Sequence, residues 1–507
     1  MNFEAVTSEF DELIRSGKRE LAGRKIKEIK ISSIPRAHIN SMANLARRTG
    51  HINLAWQMIA PIIRPKFPLA TPATDIEKAT YTIILLALGA IPEAVELLES
   101  ANPESPEINL AFAFAHISRW DYLAAIPKLR LYLRFEKITL YEKMVAQVNL
   151  AASYVASGNT KDGSPLLQEI LEITSQNNWH LLNRNALEIS AQLAIQLEKW
   201  TDGETLLKQA KHDSDNQFNL DNFFVTKWQA IIALLKNGPT PPALKELSEL
   251  RDLAIKNKHW ETIRDCDFYQ AITTKNSELA LRLYFGTPFS SYRKRLMHRA
   301  RDWLTVPAEY EWQALEQHSK LQPAAPMPAT KVFNLSLGEE LSGTAKVKPG
   351  TALYRALAAM TSDFYRPFSV GSLHSLVFPK EHFNPDSSPR RVSFLIQRLR
   401  GWFKENYLPL NIVSEVDGFK LQATEPFTFI LEKSGPVKVE KTSEPAQYLA
   451  LLKKLKTQNA GKALKTSEIS EITKISVRSV RYFLKWALEK NKVLKQGNGR
   501  ESRYKIR

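Results

Sequence analysis

Two groups of side chains in the last third of the chain have the types and spacing to grip an anionic lattice. At 100° per residue, Arg478, Tyr482 and Lys485 fall on one face of a helix that starts after Ser476, flanked by Ser479 and Arg481. Val477, Val480, Phe483, Leu484, Ala487 and Leu488 form the opposite, apolar stripe. A second helix opens at Ser388-Pro389, a cap followed by proline at the first helical position. It carries Val392, Leu395, Ile396 and Leu399 on one side. Arg390, Ser393, Phe394 and Gln397 lie opposite, with Arg391 next to them and Arg398 and Arg400 at the edges. Cations, hydroxyls and an amide arranged this way donate to phosphate oxygens and base edges. That is recognition chemistry, with no covalent step.

Hairpin text follows each helix. After the 388 helix come 411–416, Asp417-Gly418 and 419–422, with Lys420 in the second strand. After the 477 helix come 493–496, Gly497-Asn498-Gly499 and 500–506, which add Asn498, Arg500 and Arg503 to the candidate contacts. Asn-Gly tolerates the positive φ angles of a tight hairpin turn.

Catalysis finds no support. There is no phosphate-binding glycine loop, no Cys-x-x-Cys and no His-Glu-x-x-His. The ten histidines are scattered, and His374 reads as a helix-surface residue. No catalytic residue, metal or cofactor is expected. The lone Cys266 reads as a core residue. A single thiol excludes an intramolecular disulfide framework and fits a reducing cytoplasm. The acidic start of the chain lacks the apolar run of a secretion signal. The longest apolar stretch, 83–91, is far short of the roughly 20 residues a bilayer needs.

The net charge of +17 is unevenly placed. Residues 331–507 hold 31 Lys and Arg against 16 Asp and Glu, whereas residues 1–330 hold 39 against 37. A dense polyanion such as duplex DNA explains that segregation through counterion release. A membrane surface does not, because no amphipathic lysine-rich helix with large exposed apolar groups accompanies the charge.

Before about residue 330 the pattern is helix, break, helix. Breaks fall at Gly50, Gly89, Trp120, Gly158, Trp200 and Gly238. Small residues stand five positions after the first four: Ala55, Ala94, Ala125 and Gly163. This text resembles tetratricopeptide repeats, which place a small residue where two helices approach closely. It departs from them in period, and Trp200 and Trp260 are followed by Thr205 and Asp265. The resemblance implies an α-solenoid over 1–321 whose concave surface takes a protein or peptide ligand. Within it, 281–303 is basic; a solvated face, or one paired with the acidic array, is the plainer reading than phosphate contact.

Gln322 to Thr330 contains three prolines, so 322–331 is expected to be a linker, followed by a domain over 332–432, a second linker over 433–444 and a last domain over 445–507. Segment 332–423 resembles the DNA-binding effector domain of OmpR-type response regulators. The residues that carry this are Ile396-Gln397-Arg398-Leu399-Arg400 in the third helix and Gly418-Phe419-Lys420-Leu421 at the wing, with Leu373 and Val377-Phe378 in the second helix. The resemblance implies a third helix in the major groove, a wing at the minor groove and a loop, here 379–386, able to meet RNA polymerase. There is room for fewer than the family's four N-terminal strands, and no receiver domain precedes the segment. Residues 444–507 resemble a second winged helix-turn-helix.

The expected fold is therefore mainly α: a solenoid followed by two small α+β winged helices. The expected function is DNA-binding transcription regulation; a scaffold whose winged helices bind proteins is the alternative. A tether of roughly 12 residues reaches about 40 Å, enough for neighbouring major grooves about 34 Å apart.

Overall fold

The computed structural model describes residues 2–15, 18–65, 71–211, 220–314, 331–379, 381–415, 418–433, 446–458, 462–473, 475, 477–497 and 502–506. The chain forms two compact units, Met1–Pro436 and Val437–Arg507.

From Arg36 to Phe285 the first unit is built of helical hairpins. Each inner turn carries one residue of positive φ: Gly50, Gly89, Trp120, Gly158, Glu198, Gly238 and Lys275. Five residues after each stands a small buried residue: Ala55, Ala94, Ala125, Gly163, Gly203, Ala243 and Ala280. A small side chain at that point lets the second helix of a pair lie close against the first. The expected break at Trp200 is displaced by two positions. Glu198 makes the turn and Trp200 opens the next helix. Read from Glu198, the repeat that looks divergent keeps the rule through Gly203, where an added Cβ would lie 3.0 Å from Ile232.

The basic stretch 281–303 is divided between surface and interior. Arg293 donates to the Thr287 carbonyl at 2.7 Å, and Arg295 lies over the Phe268 ring at 4.5 Å. Lys294, Arg299 and Arg301 face solvent. This helix, Ser290–Ala300, also meets an earlier hairpin: Tyr292 is edge-on to Trp120 at 5.0 Å.

The expected linker at 322–331 falls almost wholly outside the described residues; strands before and after it in sequence belong to one sheet. Glu309–Gln313 pairs antiparallel with Thr428–Glu432, which pairs parallel with Val332–Asn334, which pairs in turn with Glu339–Glu340. The sheet thus has four strands. Two of them lie outside 332–423, one on each side, so the segment itself supplies only two, fewer than four as expected. Trp312, Phe429 and Phe364 stack through it, with Trp312 to Phe364 at 4.0 Å. One apolar core runs from Ala254 through Leu304 and Trp312 to Leu431. The end of the array and the sheet module share this core within one compact unit.

In the module, helices Ala352–Met360, Val370–Val377 and Ser388–Glu405 precede a hairpin of Leu410–Glu415 and Gly418–Ala423. Thr351 and Ser369 cap the first two helices through their hydroxyls. Gly418 sits at φ +144°, and an added Cβ there would lie 2.1 Å from the Phe368 carbonyl. Only glycine fits, because Phe368 and Phe419 exchange two backbone hydrogen bonds at that point.

The second unit has helices Ala446–Gln458, Thr466–Thr473 and Val477–Glu489. Its sheet has a third strand beyond the expected hairpin: Ala463–Lys465 pairs with Arg503–Ile506, which pairs with Val493–Gln496. Leu455, Ile469, Val480, Phe483, Leu484 and Ala487 form its core. Val477, expected in the apolar stripe, is exposed. The expected cap at Ser476 lies outside the described residues.

Candidate nucleic-acid interface

The Ser388–Glu405 helix has the two expected faces. Val392, Leu395, Ile396, Leu399 and Phe403 are buried, whereas Arg390, Ser393, Phe394, Gln397 and Arg398 point outward. Phe394 is 53% exposed, with the Arg390 guanidinium 5.6 Å from its ring. An aromatic ring left in solvent on a polar face is available for an apolar or stacking contact. Ser388 is not the cap. It is buried in the first turn, and its hydroxyl accepts the Asn384 amide at 3.0 Å.

Three predicted contact residues are turned to other tasks. Arg391 is bound to the Glu381 carboxylate, with one bond at 3.0 Å, and lies 4.4 Å from the Phe378 ring. That hydrogen bond, ahead of a smaller opposing burial effect, holds the Glu381 carboxyl below its usual range. Arg400 donates from Nε to the Ile412 carbonyl at 3.0 Å and from Nη2 to the Ser414 hydroxyl at 3.2 Å, clamping the helix to the hairpin. Lys420 is 9% exposed and faces the array, with Nζ 5.6 Å from the Trp260 ring. It is therefore not a surface contact: alternation turns it away from the module core that takes Leu421, and the array covers that other face. Burial, then the charges of Arg282 and Arg251, push its ammonium down to about 7.

The hairpin and the loop expected to meet RNA polymerase are likewise held by the array. Lys258 pairs with Glu415 at 3.7 Å. Of the loop residues 379–386, Phe383 is buried, and its amide donates to Glu93 Oε2 at 2.7 Å. As the chain stands, that loop presents no free Phe383 to another protein. His374, expected on the surface, is buried between Phe378 and Phe383, and neither of its ring nitrogens has a hydrogen-bond partner. Burial, then the nearby Arg391 charge, lowers its pKa and keeps it neutral.

A buried ionic seam also joins array and module. Arg264 donates to both oxygens of Asp363, at 3.0 and 3.1 Å, and to Glu261. Arg251 binds Asp267 at 2.6 Å, and the Tyr365 hydroxyl donates to the same carboxylate at 2.9 Å. Sequence reasoning misses this seam, because nothing in local spacing links positions about a hundred residues apart. Cys266 lies beside it. Burial and then the neighbouring Asp267 and Asp265 charges raise its thiol pKa, which makes it inert.

In the second unit, Arg481 and Lys485 stand one turn apart on the exposed face of the Val477–Glu489 helix. Lys495 and Lys505 on the hairpin are exposed too. Arg503 is exposed and donates to the Ala463 carbonyl at 3.3 Å. The side chains of Arg478, Ser479 and Tyr482, and all of Asn498 and Arg500, lie outside the described residues. Among the described residues there is no cluster of side chains able to hold a metal ion, and no helix is long and apolar enough to cross a membrane.

No protein-family model and no curated protein matches the chain. Among solved structures, a Rap protein complexed with competence and sporulation factor aligns over 59% of this chain and 89% of its own length, at 13% identity and a TM-score of 0.41. The apo form of RapI aligns over 60% and 95%, at 12% identity and a TM-score of 0.35.

Proposed function

We propose that the chain is a DNA-binding regulator in which a helical array carries and controls a winged-helix reader. The observation behind this is the outward face of the Ser388–Glu405 helix. Arg390, Ser393, Phe394, Gln397 and Arg398 stay open there, while the hairpin and the flanking loop are engaged by the array. These residue types match duplex recognition in the major groove: arginine to guanine or phosphate, glutamine to adenine, and an apolar group to the thymine methyl. The resemblance to OmpR-type effector domains supports the same helix as the reader. The second unit adds exposed Arg481 and Lys485 on its own third helix.

A second reading is a scaffold whose winged helices bind proteins. It is favoured by what the module already does, since its loop and hairpin are spent on protein contacts. The array would then be the partner-binding element under either reading.

The two separate in a titration of fluorescent duplex DNA with full-length variants. Arg390→Ala with Arg398→Ala should weaken binding about 10- to 100-fold, as expected for two lost charge-assisted contacts. Arg481→Ala with Lys485→Ala should weaken all sequences alike. Unchanged affinity in both double variants leaves the scaffold reading standing.

A further inference from the structure

We infer that the pocket holding Phe383 is a docking site on the helical array for an external peptide, one in which a cationic residue precedes a phenylalanine. This rests on the partner-binding half of the reading above and not on DNA binding.

The pocket already holds a ligand of that kind, supplied by the chain itself. Phe383 is 4% exposed and joins an apolar cluster whose other buried members all come from residues 3–94, among them Ile59, Tyr81, Ile84 and Ala94. Phe383 reaches that cluster from about 290 positions further along the chain. It enters from a loop, as a peptide would, not from the face of a helix.

Glu93 gives the pocket its polar rule. The residue is buried and pairs with Arg64 at 3.0 Å. Its Oε2 accepts the Phe383 amide at 2.7 Å, and its Oε1 lies 3.4 Å from His382 Nδ1. A side chain that accepts a main-chain amide reads backbone, which every peptide offers. The carboxylate beside the preceding residue favours a cation there, because an opposite charge stabilises the charged form. The His382 side chain is 53% exposed, so a longer lysine or arginine fits at that position without entering the core.

Two further hydrogen bonds fasten the internal ligand around this point. Ser372 donates its hydroxyl to the Gly89 carbonyl at 3.2 Å, and Gln57 reaches the exposed Asp386 at 3.4 Å. The Val370–Val377 helix fits against the array through Gly371, where an added Cβ would lie 1.9 Å from the Leu88 carbonyl oxygen. A tethered ligand competes at an effective concentration in the millimolar range. An external peptide is therefore masked in the wild-type chain and revealed once the tethered phenylalanine is removed. Displacement would also release Glu381, which holds Arg391 beside the open face of the 388–405 helix.

The test uses full-length protein and a labelled peptide with the sequence of residues 381–386, Glu-His-Phe-Asn-Pro-Asp, followed by fluorescence anisotropy. The Phe383→Ala chain should bind it at least about tenfold tighter than wild type. Replacing the peptide's phenylalanine with alanine should abolish binding, and Glu93→Gln in the Phe383→Ala background should erase the preference for a cation ahead of it. Gly371→Ala is the second variant: it pries the helix from the array, removes none of the buried side chains that residues 3–94 give the pocket, and should also gain binding. In the wild-type chain, excess peptide should speed amide hydrogen exchange across 381–386. The proposal is overturned if neither folded variant gains binding, if the alanine peptide binds equally well, or if exchange is unchanged.

Discussion

Replacing Asp363 with alanine is expected to lower the stability of the first unit by about 3–5 kcal/mol, the range for a buried ion pair that loses one member. Arg264 and Asp363 are 0% and 2% exposed and share two hydrogen bonds, so water cannot take over for the missing partner. Burial alone would weaken the hold of Arg264 on its proton; Asp363 and then Glu261 more than offset this and keep it charged. Asp363 also accepts the backbone amides of Tyr365 and Arg366, at 2.9 and 3.2 Å, so its loss loosens the turn that brings Phe364 into the sheet core. Urea unfolding measures the effect. Combining Arg264→Met with Asp363→Leu should recover the part of the loss that comes from the stranded Arg264 charge, but not the part due to the two backbone amides, which leucine cannot accept. A loss below about 0.5 kcal/mol in Asp363→Ala, the scale of an ordinary surface substitution, would mean the seam does not hold the array and the module together.

Lys420→Met should have the opposite sign. The Lys420 ammonium is buried beside Trp260 and within reach of the Arg251 and Arg282 charges, and its pKa falls to about 7 from an ordinary value of 10.5. A pKa lowered in the folded state means that the folded chain holds the proton less tightly than the unfolded chain. Wild-type stability should then rise as pH climbs from about 7 towards 10.5 and be insensitive to this group below 7. Each tenfold loss of proton affinity on folding is worth about 1.4 kcal/mol, so a fall from 10.5 to about 7 corresponds to a cost on the order of 5 kcal/mol at pH 7. Methionine fills similar space without the charge, so the variant should be more stable at pH 7 and lose the rise above it. Thermal unfolding across that range checks both; a less stable variant with the slope retained would show that Lys420 finds a partner where it lies.

The helical repeat is legible because its signals are local. A turn residue of positive φ and a small residue five positions later recur within single hairpins, so Gly50 with Ala55 and Gly89 with Ala94 are readable directly. The later repeats are hidden by register. Trp200 looks like a break, but Glu198 adopts the left-handed turn, and non-glycine residues there give little warning. The outward and inward faces of the 388–405 helix are equally readable, since 3.6-residue periodicity fixes them.

What stays hidden depends on contacts across the chain. A proline-rich stretch reads as a domain boundary, yet strands on either side of it in sequence, Glu309–Gln313 and Thr428–Glu432, pair in one sheet. Lys420 and His374 carry surface-type side chains, yet the array covers the first beside Trp260 and Phe378 and Phe383 cover the second. Phe383 in a short loop between Pro379 and Pro385 is a visible oddity, an aromatic where the chain should be solvated. Its partner Glu93 carries no sequence signal at all.

The reading we propose is that this chain holds duplex DNA through cations left open on its third helices. Its most direct test is the affinity of the full-length protein for duplex DNA as salt is raised from about 50 to about 200 mM. Neutralising three phosphates predicts a linear fall of log K with log salt and roughly a fortyfold loss over that range, with a shallower slope once Arg481 and Lys485 are alanine. Absence of binding at about 50 mM salt, or an affinity that does not respond to salt, would contradict the account.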